Sequence, residues 1–296
     1  MVDARRGGHP TPMSDTKSTM KLVEYLDDDN DLSKKGIDKL TGYVAEAKGL
    51  VDQMRCEEMI SFATSAVRDA RNSDHVLDHV EKEIGIRLEI LSGEDEARLT
   101  FLAVRRWYGW SAGRIVNLDI GGGSLELTSG TDEDPDAAYS LLLGAGRLTH
   151  EWFDTDPPER KKIDLLRDYI DAELVEPARH LRTLGEPDLA VATSKTFRTL
   201  ARLTGAAPSS AGPRVKRTLT APGLRQLIAF ISRMTAADRA ELEGVSSNRS
   251  HQIVAGALVA EASMRALGLE QVEICPWALR EGVILRRLDG NLYGKG

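Results

Sequence analysis

The sequence predicts an α/β protein, and two observations carry this prediction. Short apolar runs alternate along the chain with longer segments in which apolar residues recur at every third or fourth position, as strands and amphipathic helices do. Three of the apolar runs end in small or hydroxyl residues, within FATSAVR, LDIGGGSLEL and AVATSKTFR. Backbone amides in such turns bind anions, and ligands of α/β sheets gather at the carboxyl ends of strands. The pattern therefore suggests a phosphate-rich ligand lying between two α/β lobes.

The first part of the chain predicts strands separated by two helices. The stretch MKLVEYL predicts a strand, followed by an acidic turn. An amphipathic helix is predicted by apolar residues at helical spacing: Ile37, Leu40, Val44, Ala47, Val51 and Met54. The run EEMISFATSAVR predicts a strand ending at a site loop, and SDHVLDHVEKEIG predicts a helix ending near Gly85. After a strand over IRLEIL, Ser92 is expected to cap the next helix, with Asp95 as its reciprocal partner.

The middle of the chain contains the clearest strand pattern, RIVNLDI, followed by glycines and a second strand over SLELTSG. A further strand is predicted in AAYSLLLGAG, then a long charged helix across Glu159–Leu184. The segment DLAVATSKTFRTLARLTG repeats the order of strand, polar turn and helix, and residues 205–217 predict a flexible loop. A late strand over VEIC precedes a final helix from about Trp277.

Composition narrows the class of protein. The chain has 296 residues, with 46 acidic and 39 basic side chains and a net charge of −7. This balance disfavours extended nucleic-acid binding, which depends on a basic surface, but leaves room for a local anion site. No apolar run is long enough to span a membrane and Met1–Ser14 is polar, so we expect a cytoplasmic protein without a membrane partner. Cys56 and Cys275 show no metal or redox spacing and are expected to be free thiols.

The glycine tract Gly121–Gly123 with Ser124 has two interpretations. Glycines without side chains let amides approach phosphate oxygens, but a tight β-hairpin has the same composition. Asp119 favours the first interpretation, because a carboxylate at the end of an apolar strand is costly unless it is paired or binds a metal such as Mg²⁺. Glu126 could place a water or a metal ion, or it could simply alternate with Leu125 and Leu127 on a solvent-facing strand.

Other charged residues keep similar alternatives open. Glu94, Asp95 and Glu96 stand in the first turn of a helix, where the helix dipole alone would favour acids. One of them could instead face a cleft as a general base. Four basic residues could clamp phosphate or form surface ion pairs: Arg68, Arg147, Lys195 and Arg280.

Taken together, these stretches resemble the exopolyphosphatase/guanosine-pentaphosphate phosphatase (Ppx/GppA) family. The matching pieces are FATSAVRDARN, EILSGEDEARLTFLAV, VNLDIGGGSLEL, LLLGAGRLT, VATSKTFRTLARL, IVAGALVAEASMRAL and ALREGVIL. They follow the family's order and cover most of the chain, and the pair SG-x-x-EA with D-x-GGGS-x-E is highly specific. The details are most similar to the short actinobacterial exopolyphosphatases.

The resemblance implies a two-domain actin-like fold, with a cleft between the domains, and Mg²⁺-dependent hydrolysis of a terminal phosphate from inorganic polyphosphate. It implies that Glu96 is the general base and that Asp119 and Glu126 hold the metal, with Glu126 also helping to place the water. The loop of Gly121, Gly122, Gly123 and Ser124 would bind phosphate together with Arg68, Arg147 and Lys195. The expected domains are 1–114 with the helix 281–296, and 115–280, and a homodimer is expected from the family and from base rates.

Two departures from the family pattern qualify this expectation. The family opens with a strand and a phosphate loop of the type D-x-G-S-N-[ST], whereas MVDARRGGHPTPMSD resembles the end of the second strand and the turn after it. We therefore expect an incomplete first domain and weak or no activity, which equal turnover by a chain extended with that segment would disprove. At the third turn Lys195 replaces a usual glycine, and could add a phosphate contact or block a nucleotide.

Three alternatives to an exopolyphosphatase stay open at this point. Guanosine pentaphosphate hydrolysis would use the same motifs, with that nucleotide as the substrate. A kinase of the same fold is disfavoured by the Glu96 motif. A polyphosphate- or alarmone-binding regulatory protein with little turnover would be consistent with an incomplete first domain.

Overall fold

The computed structural model describes residues 1–290, except residues 6, 7, 9, 15, 17–19, 21 and 28. The chain forms two compact units. One consists of the described residues of Met1–Ser92 and Arg286–Gly296, and the other of Gly93–Leu285.

The first unit contains short strands and three helices. In chain order its elements are β1 (Val2–Asp3), β2 (Thr11–Pro12), α1 (Lys34–Gln53), β3 (Phe62–Ala63), α2 (Ser65–Arg68), α3 (Ser73–Ile84) and β4 (Glu89–Ile90). Strands β1 and β2 pair antiparallel, and β3 pairs with β4 in parallel. The buried core of this unit comprises Leu22, Leu32, Ile37, Leu40, Val44, Ala63, Val67, Ala70, Val76, Val80 and Leu88.

Both helices predicted for this region are confirmed. The Ser33 hydroxyl caps α1 by accepting a hydrogen bond from the Gly36 amide at 3.4 Å, as expected of a short polar side chain at this position. Helix α3 ends at Gly85, whose φ of 72° lies in the left-handed region that glycine adopts without strain. A side-chain cap therefore marks the start of α1, and a left-handed glycine marks the end of α3.

The strand predicted over MKLVEYL is wrong for the residues that the structure describes there. Leu22–Tyr25 form a short 3₁₀ helix, and Lys21 lies outside the described residues. The acidic turn that follows is confirmed, since the Asp27 carboxylate accepts the amides of Asp29 and Asp31 at 3.0 and 2.9 Å. That turn folds the chain back so that Leu26 bridges to Leu32, and the apolar residues are buried against α1 rather than in a sheet.

The second unit is built on a six-stranded sheet with the order β7-β6-β5-β8-β10-β9. Its strands are β5 (Ile115–Ile120), β6 (Leu125–Gly130), β7 (Ala137–Leu141), β8 (Leu189–Thr193), β9 (Thr218–Thr220) and β10 (Gln271–Ile274). Its helices are α4 (Gly93–Tyr108), α5 (Ala145–Trp152), α6 (Arg160–Thr183), α7 (Ser194–Leu203), α8 (Ala221–Ile231), α9 (Ala236–Ala240), α10 (Ile253–Ala266) and α11 (Leu279–Leu288), the last crossing the limit of the unit.

Both faces of this sheet are covered. One face carries Val116, Leu118 and Ile120 into a core shared with α10, which is buried almost all round. The other face carries Ile115 and Val191 against α4. Because β5, β8 and β10 run parallel, their carboxyl ends meet at one edge of the sheet. Two of the three polar turns predicted from the sequence lie there, after β5 and β8, whereas the turn in FATSAVR follows β3 in the first unit.

The strands and helices predicted for residues 115–288 are confirmed in kind and in order. Residues 205–217 connect α7 to β9 as a loop, as predicted, with a short 3₁₀ turn at Ser209–Ala211, and their flexibility stays a prediction. The half-buried Arg217 guanidinium donates hydrogen bonds to four carbonyls of this loop: those of Ala207, Pro208, Gly212 and Val215.

The predicted domain limits differ from the compact units in the placing of residues 93–114 and 281–285. Helix α4 packs on β6 and β7 and so lies within the second unit. As a division into domains, the limits 1–114 with 281–296, and 115–280, stay a prediction. Cys275 is buried and Cys56 half-buried, both as free thiols. Across the described ranges, every helix is too short or too polar to cross a membrane.

Candidate active site

Two carboxylates and a hydroxyl form a row across three neighbouring strands. Asp119 of β5 lies directly opposite Glu126 of β6 in antiparallel register and beside Thr193 of β8 in parallel register. Directly opposed residues point to the same face, with Cβ atoms about 5 Å apart. The Thr193 hydroxyl donates to Asp119 Oδ2 at 2.5 Å. The register of one hairpin therefore brings together the two residues that the sequence predicts as metal ligands.

The two carboxyl groups hold protons unusually well in the protein alone. Burial raises the pKa of Asp119 to about 6, against the opposing effects of the Thr193 hydrogen bond and the Arg198 charge. Burial, together with the neighbouring charges of Asp119 and Glu96, raises the pKa of Glu126 to about 8. The hydroxyls of Ser124 and Ser140, the latter 2.9 Å from Glu126 Oε1, act in the opposite direction. Both carboxyl groups thus stay protonated to a higher pH than is usual for their residue types.

Glu96 reaches this cluster from a separate element. It lies in the first turn of α4 and is 8% exposed, whereas Glu94 and Asp95 of the same turn are exposed. Glu94 pairs with Arg98 at 2.7 Å. A helix dipole would favour all three acids equally, so the burial of Glu96 near Glu126 is the feature that singles it out.

The glycine loop joins β5 to β6. Its closing hydrogen bond runs from the Gly121 amide to the Ser124 carbonyl at 2.9 Å. A side chain added at Gly122 would meet no atom within 4 Å, and none of the three glycines has a positive φ. The loop is thus the tight hairpin turn of the second interpretation, with open space at Gly122, and its binding of phosphate stays a prediction.

Arg147 and Lys195 lie in the same unit as this loop. Arg147 of α5 donates from Nε to the Gly123 carbonyl at 3.2 Å. Lys195 is exposed at the start of α7. The left-handed residue of that turn is Ser194, with a φ of 78°, and Lys195 itself has no positive φ. The lysine is therefore accommodated without backbone strain where the family pattern has glycine.

Arg68 belongs to the other unit. Its Nε donates to Asp69 at 2.9 Å and its Nη1 to the Leu91 carbonyl at 3.2 Å. These contacts hold the side chain within its own unit, and the prediction that Arg68 binds phosphate stays a prediction.

Sequence inspection missed three polar residues of the site. Thr193 orients Asp119, and the charge of Arg198 lowers the Asp119 pKa. Both lie in the AVATSKTFR stretch, whose polar turn after a strand predicts an anion site, so the sequence pattern could have identified them. Arg249 has no such motif, and its position depends wholly on tertiary structure.

Arg249 and Lys195 line one small cavity, with Thr196, Thr199 and Gln252 among its other walls. Burial lowers the pKa of Arg249, and among the described residues no carboxylate forms an ion pair with it. The cavity adjoins the glycine hairpin, because the Thr196 hydroxyl donates to the Ile120 carbonyl at 3.0 Å. A half-buried, uncompensated guanidinium beside a lysine suits an anionic ligand.

The carboxylates of Asp119 and Glu126 fit a magnesium ion that is held partly by phosphate and water. Within the described part of the chain, no group of three or more histidine, cysteine or acidic side chains is arranged around a common metal position. Mg²⁺, however, is commonly held by one or two carboxylates together with phosphate oxygens and water. Asp119 and Glu126 supply two such carboxylates, and a bound cation would offset the cost of burying their charged forms, which is the main cause of both raised pKa values.

An α/β unit with paired carboxylates, a third buried acid and an open glycine hairpin at one sheet edge defines a phosphate-handling protein. The chain belongs to the Ppx/GppA phosphatase family, whose model matches residues 1–291. The family predicted from the sequence motifs is thereby confirmed.

Several curated proteins are similar over nearly the whole chain. "Exopolyphosphatase 1" of Mycobacterium tuberculosis is 68% identical over 294 residues, covering 99% of this chain and 86% of that protein. "Exopolyphosphatase 1" of Mycobacterium leprae is 64% identical, with coverage of 99% and 87%. A "Guanosine-5'-triphosphate,3'-diphosphate pyrophosphatase" of Aeromonas hydrophila is 25% identical over 275 residues, covering 93% of this chain and 54% of that protein.

Solved structures confirm the fold class. An exopolyphosphatase from Cytophaga hutchinsonii superimposes with a TM-score of 0.87 at 23% identity, covering 98% of this chain and 93% of that one. An Aquifex aeolicus member of the Ppx/GppA family gives a TM-score of 0.74 at 23% identity, with coverage of 93% and 88%. The α/β fold of the Ppx/GppA phosphatases predicted from the sequence is therefore the fold of this chain.

Proposed function

We propose that the chain is an exopolyphosphatase, a phosphoric anhydride hydrolase that releases orthophosphate from the ends of inorganic polyphosphate. The observation that carries this proposal is the convergence, within one unit, of buried Glu96 with the opposed Asp119 and Glu126 beside the glycine hairpin. The high identity to mycobacterial proteins named exopolyphosphatase supports polyphosphate as the substrate.

The chemistry assigns each acid a separate task. Glu96 accepts a proton from water as the water oxygen forms a bond to the terminal phosphorus. The anhydride bond to the bridging oxygen breaks, and that oxygen leaves as the new end of the shortened chain. Phosphoryl transfer of this kind depends mainly on positioning and charge neutralisation. The amides of the hairpin bind the equatorial oxygens of the terminal phosphate.

Mg²⁺ would be held by Asp119 and Glu126 and would supply neutralisation of phosphate charge. Thr193 fixes one oxygen of Asp119 through its 2.5 Å hydrogen bond, and Ser140 fixes one of Glu126. Lys195, exposed at the start of α7, supplies positive charge for phosphate. The family resemblance alone predicts phosphate binding by Arg68 and Arg147, whereas the hydrogen bond of Arg147 to the Gly123 carbonyl gives that side chain a contact with the hairpin itself.

We predict that Mg²⁺ stabilises the protein more strongly as pH rises. Both carboxyl groups have raised pKa values, about 6 for Asp119 and about 8 for Glu126, so they bind protons more tightly folded than unfolded. The metal-free protein therefore loses stability as pH rises through these pKa values. Mg²⁺ competes with those protons. Thermal unfolding with and without Mg²⁺ should show an increment that grows between about pH 6 and pH 8.

Glu126→Gln is the matched control for that measurement, because it removes the group with the higher pKa and keeps the shape. The upper part of the increase in Mg²⁺ stabilisation should disappear in this variant. A Mg²⁺ increment that is equal at both ends of the pH range would contradict the assignment of these carboxylates to the metal.

Arg249→Ala is predicted to raise KM for polyphosphate by about 10-fold to 100-fold, the effect of one lost charge-assisted hydrogen bond. Arg249 and Lys195 lie together beside the hairpin, in the part of the site that we assign to the phosphate next to the terminal one. Arg225→Ala removes an equal charge from an exposed position on α8 and should leave KM within about twofold. Equal KM values for the two variants would exclude Arg249 from substrate binding.

The function itself is tested by measuring orthophosphate release from polyphosphate and from guanosine pentaphosphate in parallel, with Mg²⁺ present. Release from polyphosphate with the higher kcat/KM supports the proposal. Release from the nucleotide alone would assign the chain to the other activity of the family. Binding without release from either substrate would favour a regulatory protein. A homodimer and a cytoplasmic location stay predictions beside this proposal.

A further inference from the structure

The first turn of α5 donates hydrogen bonds to the carbonyl oxygens of the glycine hairpin. The Ala145 amide donates to the Gly121 carbonyl at 3.0 Å, and the Gly146 and Arg147 amides both donate to the Gly122 carbonyl at 2.9 Å. The third carbonyl, that of Gly123, accepts from Arg147 Nε at 3.2 Å. All three glycine carbonyls therefore point towards the same helix end.

Those carbonyls fix the direction of three amides. In a planar trans peptide the N–H points opposite to the C=O of the same unit. The carbonyls of Gly121, Gly122 and Gly123 share their peptide planes with the amides of Gly122, Gly123 and Ser124. These amides must therefore point away from α5. Within the described residues, none of the three donates to a backbone carbonyl in the turns and loops around the hairpin.

The approach of α5 depends on a glycine. A Cβ added at Gly144 would lie 2.2 Å from the Gly123 carbonyl carbon and 2.4 Å from the Ser124 nitrogen. Atoms cannot approach so closely, so any side chain at this position would push the helix end off the hairpin. The N-terminal amides of α5 are also already bonded, which means that this helix end does not itself bind the anion.

We propose that Gly144 and Arg147 are positioning residues that hold the three hairpin peptides with their amides directed at the phosphate. This inference deepens the proposed function and rests on it for the identity of the substrate. Hydrogen bonds accepted by a carbonyl also polarise the amide of the same peptide, which strengthens its binding to an anion. The first two peptides are held by backbone amides, whereas the hydrogen bond described for the third comes from the Arg147 side chain.

This role differs from direct binding of phosphate by Arg147 in a measurable way. If Arg147 bound phosphate directly, its loss would weaken phosphate binding but would leave the amide shifts at saturation similar. A positioning residue acts on one peptide, so its loss changes the response of the Ser124 amide at saturation. The variant Arg147→Met removes the donor at similar length, and Arg147→Gln removes the charge but restores a donor.

The experiment measures amide proton shifts by NMR in protein carrying ¹⁵N-glycine and ¹⁵N-serine, titrated with inorganic phosphate in the presence of Mg²⁺. In the unaltered protein, the amides of Gly122, Gly123 and Ser124 should all move downfield. In Arg147→Met the Ser124 shift should be lost at saturation while the Gly122 shift is retained, and Arg147→Gln should recover part of it. The kcat for polyphosphate should fall by up to about 100-fold, as for a small misplacement of the reacting group, with KM little changed.

An Arg147→Met protein whose Ser124 amide shifts as fully as before would overturn the proposal. So would an unaltered protein in which phosphate saturates without moving any of the three amides. Since the phosphate titration needs no turnover, a protein that binds phosphate in this way but does not release it from polyphosphate refutes the proposed function and leaves the positioning inference standing. Gly144→Ala should abolish all three shifts, and Arg147→Met decides the question if that variant does not fold.

Discussion

Glu96→Gln is expected to lower kcat for polyphosphate by about 10²-fold to 10⁴-fold, the usual contribution of a positioned general base. The substitution keeps the size of a side chain that is 8% exposed and removes its ability to take a proton from water. Substrate binding should be retained, since the hairpin amides and the basic residues are unchanged. Phosphate release is measured against chain length, and polyphosphate binding by calorimetry, for the same preparation.

Asp95→Asn provides the matched control for Glu96→Gln. Asp95 stands in the same helical turn and is exposed, so its substitution removes an equal charge from the helix N-terminus without touching the carboxylate cluster. We expect its kcat to stay within about twofold, as for most exposed substitutions. Retained activity in Glu96→Gln would exclude Glu96 as the base.

Asp119→Asn should be comparably severe, and for a different reason. Asp119 lies opposite Glu126 in the strand register, and in the proposed function the two carboxylates would hold Mg²⁺. A metal ion contributes several kcal/mol to stabilising transition-state charge, so losing it should cost about 10²-fold to 10³-fold in kcat/KM. The activity of the variant, assayed over increasing Mg²⁺, should require a higher concentration to saturate.

Thr193→Val tests the hydrogen bond that orients the Asp119 carboxylate while keeping the carboxylate itself. It removes the hydroxyl that donates to Asp119 Oδ2 at 2.5 Å and leaves the charge in place. Loss of such a supporting hydrogen bond should weaken Mg²⁺ binding by about 10-fold to 100-fold, with full activity recovered at high Mg²⁺. Asp119→Asn with unchanged Mg²⁺ dependence would show that Asp119 does not hold the metal.

Much of the site was predictable because its residues are close in sequence. Asp119, Gly121–Ser124 and Glu126 occupy a single hairpin, and a hairpin register follows from the loop length. Glu96 was predicted through its motif, whereas its burial, which distinguishes it from Glu94 and Asp95, required the structure.

Residues that act through tertiary contacts were not predictable in the same way. Gly144 lies in the quoted stretch LLLGAG, but only its closeness to Gly123 gives it a role. Arg249 is brought beside Lys195 by the packing of distant segments. At Leu22–Tyr25 the apolar pattern is typical of a strand, but these residues form a 3₁₀ helix. Leu22 and Tyr25 pack into the core of the first unit instead of joining a sheet. A short apolar run does not by itself distinguish these outcomes.

Separation of the products from polyphosphate of one defined length, followed over time with Mg²⁺ present, tests the proposed function most directly. An exopolyphosphatase with Glu96 as its base releases orthophosphate from the earliest times, together with chains shortened from their ends, and its Glu96→Gln variant releases very little. Fragments of intermediate length appearing first, or equal orthophosphate release by the Glu96→Gln variant, would contradict it.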